Sequence, residues 1–166
     1  MLRHGSSDRR DRGSTAVEFA LTLPIFIILF IGIIEFGWYF FVQHTLQYAT
    51  REGMRLALVG RQLTDPSGNV MTREASIIQT IKDNTIVPAI RNSVQVSIYP
   101  VNTNFTDPTN WQTQQDAGDP GEYMRVRSRY VHTFFTPLIG SFFSGGAITL
   151  QAEGTYRNEL FDTTGS

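Results

Sequence analysis

FALTLPIFIILFIGII, the sixteen residues from Phe19 to Ile34, contains no charged side chain and consists mostly of large apolar ones. A helix in the core of a globular domain keeps one polar face; this stretch has none. At ~1.5 Å rise per residue, Ala16 to Ile34 spans about 28 Å, the thickness of a bilayer's hydrocarbon core. The sequence therefore predicts a membrane-spanning helix. A cleavable secretory signal would have a shorter apolar run, of about 7–15 residues, ending in small residues. Here Glu35 interrupts the run and FGWYFFV continues it to Val42. Trp38, Tyr39, Phe40 and Phe41 have the composition of an interfacial aromatic belt. The segment is thus expected to stay in the membrane.

Charge gives an orientation. Residues 1–13 carry Arg3, Arg9, Arg10 and Arg12 against Asp8 and Asp11, while the other 153 residues hold ten basic and thirteen acidic side chains. A basic flank before the span favours a cytoplasmic N-terminus, with residues 43–166 on the far side. The net charge of −1 offers no general attraction to nucleic acid. There is no cysteine, so disulfides, thiolate metal sites and a thiol nucleophile are excluded. Pro24 lies nine residues into the expected span, where it removes a backbone donor and favours a kink.

The residues around the span carry a resemblance. Gly13, four residues, then Glu18-Phe19 before an apolar helix is similar to a type IV prepilin processing site. More specifically, RGSTAVEFALTLP, GIIEFG and LQYATREGMRLA resemble the TadE-like pseudopilins of the tight-adherence (Flp pilus) system. The matching positions are Gly13, Val17, Glu18, Phe19, Ala20, Pro24, Glu35, Gly37, Ala49, Arg51, Glu52 and Arg55, within residues 12–59. Major Flp pilins are shorter and usually have tyrosine after the glutamate. Phe19 and the large C-terminal part resemble a minor pseudopilin instead. The resemblance implies that a prepilin peptidase cuts between Gly13 and Ser14, making Glu18 the fifth residue of the product. It also implies packing of Glu18, Phe19, Pro24 and Glu35 against other pilins or pseudopilins and the inner-membrane pilus machinery.

Beyond the span, Val42, Leu46, Ala49, Gly53, Leu56 and Gly60 recur at intervals of four and three, with Gln47, Arg51 and Arg55 on another face. This predicts that one helix of about forty residues continues out of the bilayer. Gly53 either admits another backbone closely or merely weakens the helix. TDPSGN, 64–69, reads as a turn. Residues 72–84 read as a second helix with Thr72 as N-cap, Glu74 in the first turn and Ile77, Ile78 and Ile81 on its apolar side; Val87-Pro88 marks its end.

Three strand patterns follow. Val94, Val96 and Ile98 alternate with Gln95 and Ser97. Met124, Val126, Tyr130 and Phe134 alternate with Arg125, Arg127, Arg129 and Thr133. Ile148, Leu150, Ala152, Gly154 and Tyr156 alternate with Thr149, Gln151, Glu153, Thr155 and Arg157. The expected fold is α+β: a long N-terminal helix, a second helix, then a three-stranded antiparallel sheet with one face against the helices, in a pilin-like order. The domains expected are a basic leader (1–13) lost by cleavage, a transmembrane helix (14–42) and an extracytoplasmic domain (43–166).

Other clusters are weighed in the same way. Arg125, Arg127 and Arg129 are expected on a solvated sheet face, paired with Glu153. Asp107, Asp116, Asp119 and Glu122 share a polar loop, 102–121 and its edge, without the ligand spacing of a calcium loop. His4, His44 and His132 lie in separate segments without metal-ligand spacing, and no nucleophile, base or phosphate loop stands out. PLIGSFF, 137–143, is either an exposed patch for a partner or a loop covering the core. Glu35 is placed at the outer interface, where an acid costs little, or in subunit packing. The sequence thus predicts a single-pass membrane protein without catalytic residues, metal or cofactor, and the resemblance implies a bacterial inner membrane. Its expected contacts are membrane lipid, a prepilin peptidase and other pilins, and no nucleic acid. An unprocessed, membrane-anchored scaffold or binding protein is the alternative.

Overall fold

The computed structural model describes residues 7–160, with side chains described from Gly13 onward. Leu2, Arg3 and His4 lie outside the described residues, and so do the last six. The chain divides into two compact units, Met1–Trp38 and Tyr39–Ser166.

Helix α1 runs over Ser7–Leu58, 52 residues, and so begins before Gly13 rather than after it. Over residues 13–30 it is exposed on every side and mostly apolar. Val17, Leu21, Phe26, Leu29 and Ile33 are each at least 60% exposed. Water would not tolerate such a surface, and a helix satisfies its own backbone polar groups, as a bilayer requires. The stretch is long and apolar enough to cross a membrane and fits a single-pass membrane anchor. The helix continues through Pro24. Thr22 Oγ1, two residues before the proline, donates back to the Glu18 carbonyl at 3.0 Å.

The second unit is built on residues 39–58 of α1. Val42, Leu46, Ala49 and Ala57 are buried there, with Thr45 and Thr50 beside them. The buried row thus reaches Ala57, not Leu56. Gly60 lies beyond the helix as its C-terminal cap: its φ is 66°, its N–H donates to Ala57 O at 3.0 Å, and Arg61 N–H donates to Leu56 O at 3.3 Å. That is the paired-bond stop that a left-handed glycine allows. Helix α2, Arg73–Asp83, is capped by Thr72, whose side chain accepts from Ala75 N–H. Ile77 and Ile81 are buried and Ile78 half-buried. The helix has already ended at Asn84, so Val87-Pro88 does not stop it. Pro88 instead opens a one-turn helix α3, Pro88–Arg91, where its missing N–H costs nothing.

Strands β1 (Gln95–Pro100), β2 (Tyr123–Thr133) and β3 (Ala147–Arg157) form an antiparallel sheet in the order β1-β2-β3. The registers Ile98↔Val126 and Val126↔Gly154 put Val96, Ile98, Met124, Val126, Leu150 and Ala152 on one face. That face meets α1. Thr50 Oγ1 donates to Ser128 Oγ at 2.9 Å, Gln43 Nε2 donates to Gln151 O at 2.9 Å, and Glu159 N–H donates to Leu58 O at 3.0 Å. The α+β architecture expected from the pattern is therefore the one observed. Gly53 does admit a close neighbour: a Cβ there would overlap the Ile81 side chain of α2.

The other sheet face is not solvated as expected. The segment between β1 and β2 folds back over it and also pairs with the edge of β1, with Ile98 N–H donating to Gln114 O and Asp116 N–H donating to Ile98 O. Ser97, Tyr99 and Arg127 are buried as a result.

Candidate functional site

At the head of the exposed helix, Gly13 is open, with no atom within 4 Å of where a Cβ would stand. Ser14 Oγ donates to Glu18 Oε1 at 3.3 Å. Residues four apart lie on one helix face, so Ser14 and Glu18 are neighbours. Phe19 is 62% exposed beside them. Pro24 follows on the same bare stretch. Glu35 differs: it is buried, 1% exposed. Gly13, Ser14, Glu18 and Phe19 thus lie within two turns of one another on α1. Pro24 lies about 9 Å further along and Glu35 about 26 Å beyond Glu18, at ~1.5 Å per residue. Gly13 has low helix propensity, about 1 kcal/mol worse than Ala.

The second unit contains a polar assembly that the strand pattern did not predict. Asp107, in the segment after β1, accepts hydrogen bonds from Tyr99 OH at 3.0 Å, Arg125 Nη1 at 2.5 Å and Arg127 Nη2 at 2.8 Å. Arg127 also pairs with Glu153, the partner expected from strand register. Trp111 lies against two guanidinium groups, 4.1 Å from Arg127 and 4.8 Å from Arg129. Gln112 O accepts from both Ser97 Oγ and Arg129 Nη2. The three arginines are thus clamps for the 102–121 segment, not a free basic stripe. The sequence signal was present in Asp107 and Trp111, an acid and an aromatic in a polar loop next to a strand with three arginines.

Electrostatics follow from this packing. Burial pushes the Tyr99 phenol up to about 12, reinforced by its bond to Asp107. Partial burial alone would raise the Asp107 carboxyl. The hydrogen bonds from Tyr99 and Arg127 and the two guanidinium charges outweigh it, and the carboxyl is held below its ordinary value. Burial likewise works against the charged form of Arg127, but Asp107 and Glu153 hold its pKa above the usual value. The assembly fastens the 102–121 segment to the sheet. Asp116 and Glu122 accept backbone N–H groups of their own loop, from Gly118 at 2.9 Å and Asp119 at 2.9 Å. Among the described residues no group of three or more acids or histidines is placed to hold a metal ion.

The second strand-to-strand connection resolves both readings of residues 137–143 at once. Phe143 stacks on Phe134 at 4.4 Å and covers the core, while Leu138 and Phe142 are 54% and 80% exposed.

The fold is α+β, and its long apolar N-terminal helix fits a single-pass membrane anchor. The TadE-like protein family matches residues 13–55, in agreement with the resemblance read from the sequence. The match lies wholly within α1, from the open glycine to the seam against the sheet, and supports involvement in the tight-adherence pilus system. No curated protein matches the chain, and no solved structure does.

Proposed function

We propose that this protein is a minor pseudopilin of a tight-adherence pilus, matured by cleavage between Gly13 and Ser14 and then packed through α1 against other pilins. The observation that carries the reading is the Ser14–Glu18 pair, at the start of the TadE-like stretch and on the exposed part of α1. Cleavage would turn the Ser14 nitrogen into a free, positively charged amine about one helical turn from the Glu18 carboxylate. In apolar surroundings each charge alone is costly, and pairing offsets much of that cost. The pair forms within one chain or with the amine of a neighbour, and the latter sets the axial register of an incoming subunit. The protein performs no chemistry of its own. Its orientation is N-terminus in the cytoplasm of a bacterial inner membrane, with the sheet domain outside; its partners are the prepilin peptidase, other pilus subunits and the membrane machinery that assembles them.

The test is the intact mass of the membrane-extracted protein with and without prepilin peptidase. Loss of residues 1–13 only with the peptidase is the expected result. A leader retained in both cases would establish instead an unprocessed membrane-anchored scaffold.

A further inference from the structure

Strand β3 forms one side of the sheet, and among the described residues no strand lies beyond it. The ladder with β2 tells which of its backbone groups face outward. Phe134 N–H donates to Gly146 O at 3.1 Å, and Asn158 N–H donates to Glu122 O at 2.9 Å, so hydrogen-bonded pairs bracket the β2–β3 register at both ends. In an antiparallel ladder such pairs alternate with open ones. The N–H and C=O groups of Thr149, Gln151, Glu153, Thr155 and Arg157 therefore point away from β2. All five residues are exposed. Gln43 Nε2 of α1 donates to one of these groups, Gln151 O, at 2.9 Å; among the described residues no strand pairs with the others.

The opposite edge of the sheet is treated differently. There Gln114 O and Asp116 N–H bond to Ile98 of β1 and cover it. Natural edge strands are commonly protected by short length, a proline, a bulge or such a cover. Strand β3 is 11 residues long, contains no proline and keeps a one-to-one register with β2 throughout. A row of outward N–H and C=O groups at strand spacing is complementary to an extended chain. Charge narrows the choice of chain. Gln47, Thr50, Arg51 and Met54 of α1 line a groove together with Gln151, Ala152 and Glu153 of β3. Glu153 is already paired with Arg127. Arg51 and Arg157 are exposed and, among the described residues, have no acidic partner; Arg157 Nε donates to Gly121 O.

We propose that the outer edge of β3 is a strand-addition site for an extended, acidic segment of a partner protein. The outward backbone groups supply the hydrogen bonds, and Arg51 and Arg157 attract the partner's carboxylates. The β3 strand of a second copy is a poorer occupant, because its one carboxylate, Glu153, is held by Arg127 and both arginines would stay unanswered. The site lies wholly within the second unit and is independent of cleavage and of the membrane anchor.

To test it, the full chain in detergent is mixed with a peptide of alternating valine and glutamate, about seven residues long to match an ordinary strand, or with its valine–lysine counterpart. Amide exchange is then read residue by residue. The acidic peptide should slow exchange at Thr149, Gln151, Glu153 and Thr155 several-fold and leave Leu150, Ala152 and Gly154, which bond to β2, unchanged. Thr155→Pro removes an outward N–H without touching the ladder, as an edge strand allows, and should abolish the protection while thermal unfolding is unchanged. Arg51→Glu, on the exposed side of α1, keeps the test decisive if the proline variant does not fold: it should weaken binding of the acidic peptide several-fold. Absence of protection by the acidic peptide, equal protection by the lysine peptide, full protection in folded Thr155→Pro or undiminished binding to Arg51→Glu each overturns the proposal. So does protection of the same amides in the chain alone that rises with its concentration, which would mean that a second copy occupies the edge.

Discussion

Removing the Asp107 carboxylate leaves two guanidinium groups and a phenol without their common acceptor. Arg125 and Arg127 have side chains only 14% and 10% exposed, so water cannot replace the lost acceptor fully. Asp107→Asn should therefore destabilise the folded domain by about 2–3 kcal/mol, read as a lower midpoint in denaturant for the full chain in detergent. Glu153 still neutralises part of the Arg127 charge, so unfolding need not be complete. The same carboxylate gives a pH dependence. Its pKa is lowered on folding, so its contribution is complete above the unfolded value of about 4 and is lost as pH falls through the lowered folded value. Wild type should lose stability below about pH 4 more steeply than Asp107→Asn. At the alkaline end, Tyr99 should ionise near 12 in the folded protein, and its share of stability should fall between about 10 and that value. Ultraviolet titration against Tyr99→Phe measures it.

Packing between α1 and α2 hinges on Gly53. A Cβ there meets Ile81 Cγ1 and Cδ1, and Ile81 is itself fully buried and cannot swing away. Gly53→Val should cost about 1–3 kcal/mol by overpacking, despite removing a poor helix former; thermal melts of the two proteins compare them. At this scale the sequence was informative wherever periodicity reports burial. Alternation placed Val96, Ile98, Met124, Val126, Leu150 and Ala152 on the α1 side correctly, and Thr72 marked the start of α2. Alternation says which side of a sheet a residue faces, and nothing of what covers that side. Arg125, Arg127 and Arg129 point away from α1 as expected, but their cover comes from Asp107 and Trp111 in a segment without any period. Gly60 illustrates the same limit: its spacing fits the buried row, and only its backbone angle identifies it as a cap. The Ser14–Glu18 contact was legible because the two are four residues apart and one helical turn brings them together. The burial of Glu35 was not, since hydropathy gives a residue's position along a span and not its surroundings.

For the molecule as a whole, maturation and assembly should separate experimentally. Gly13→Leu should block cleavage, seen as an unchanged intact mass in the presence of prepilin peptidase. Glu18→Ala should be inserted and cleaved normally yet fail to co-purify with other pilins, and Glu18→Asp, one methylene shorter, should be partly impaired. Normal pilus formation by cleaved Glu18→Ala would rule out a packing role for the carboxylate. A periplasm-dependent reporter fused after Ser166 should be active, and a cytoplasm-dependent one silent. The Trp111 stack has one more consequence, and it is optical. The chain has two tryptophans, Trp38 and Trp111, one in each unit. With Trp38→Phe, the remaining indole, lying against the guanidinium groups of Arg127 and Arg129, becomes a single built-in emitter. Its colour and anisotropy would then follow the closing of one sheet face in real time, without any attached dye.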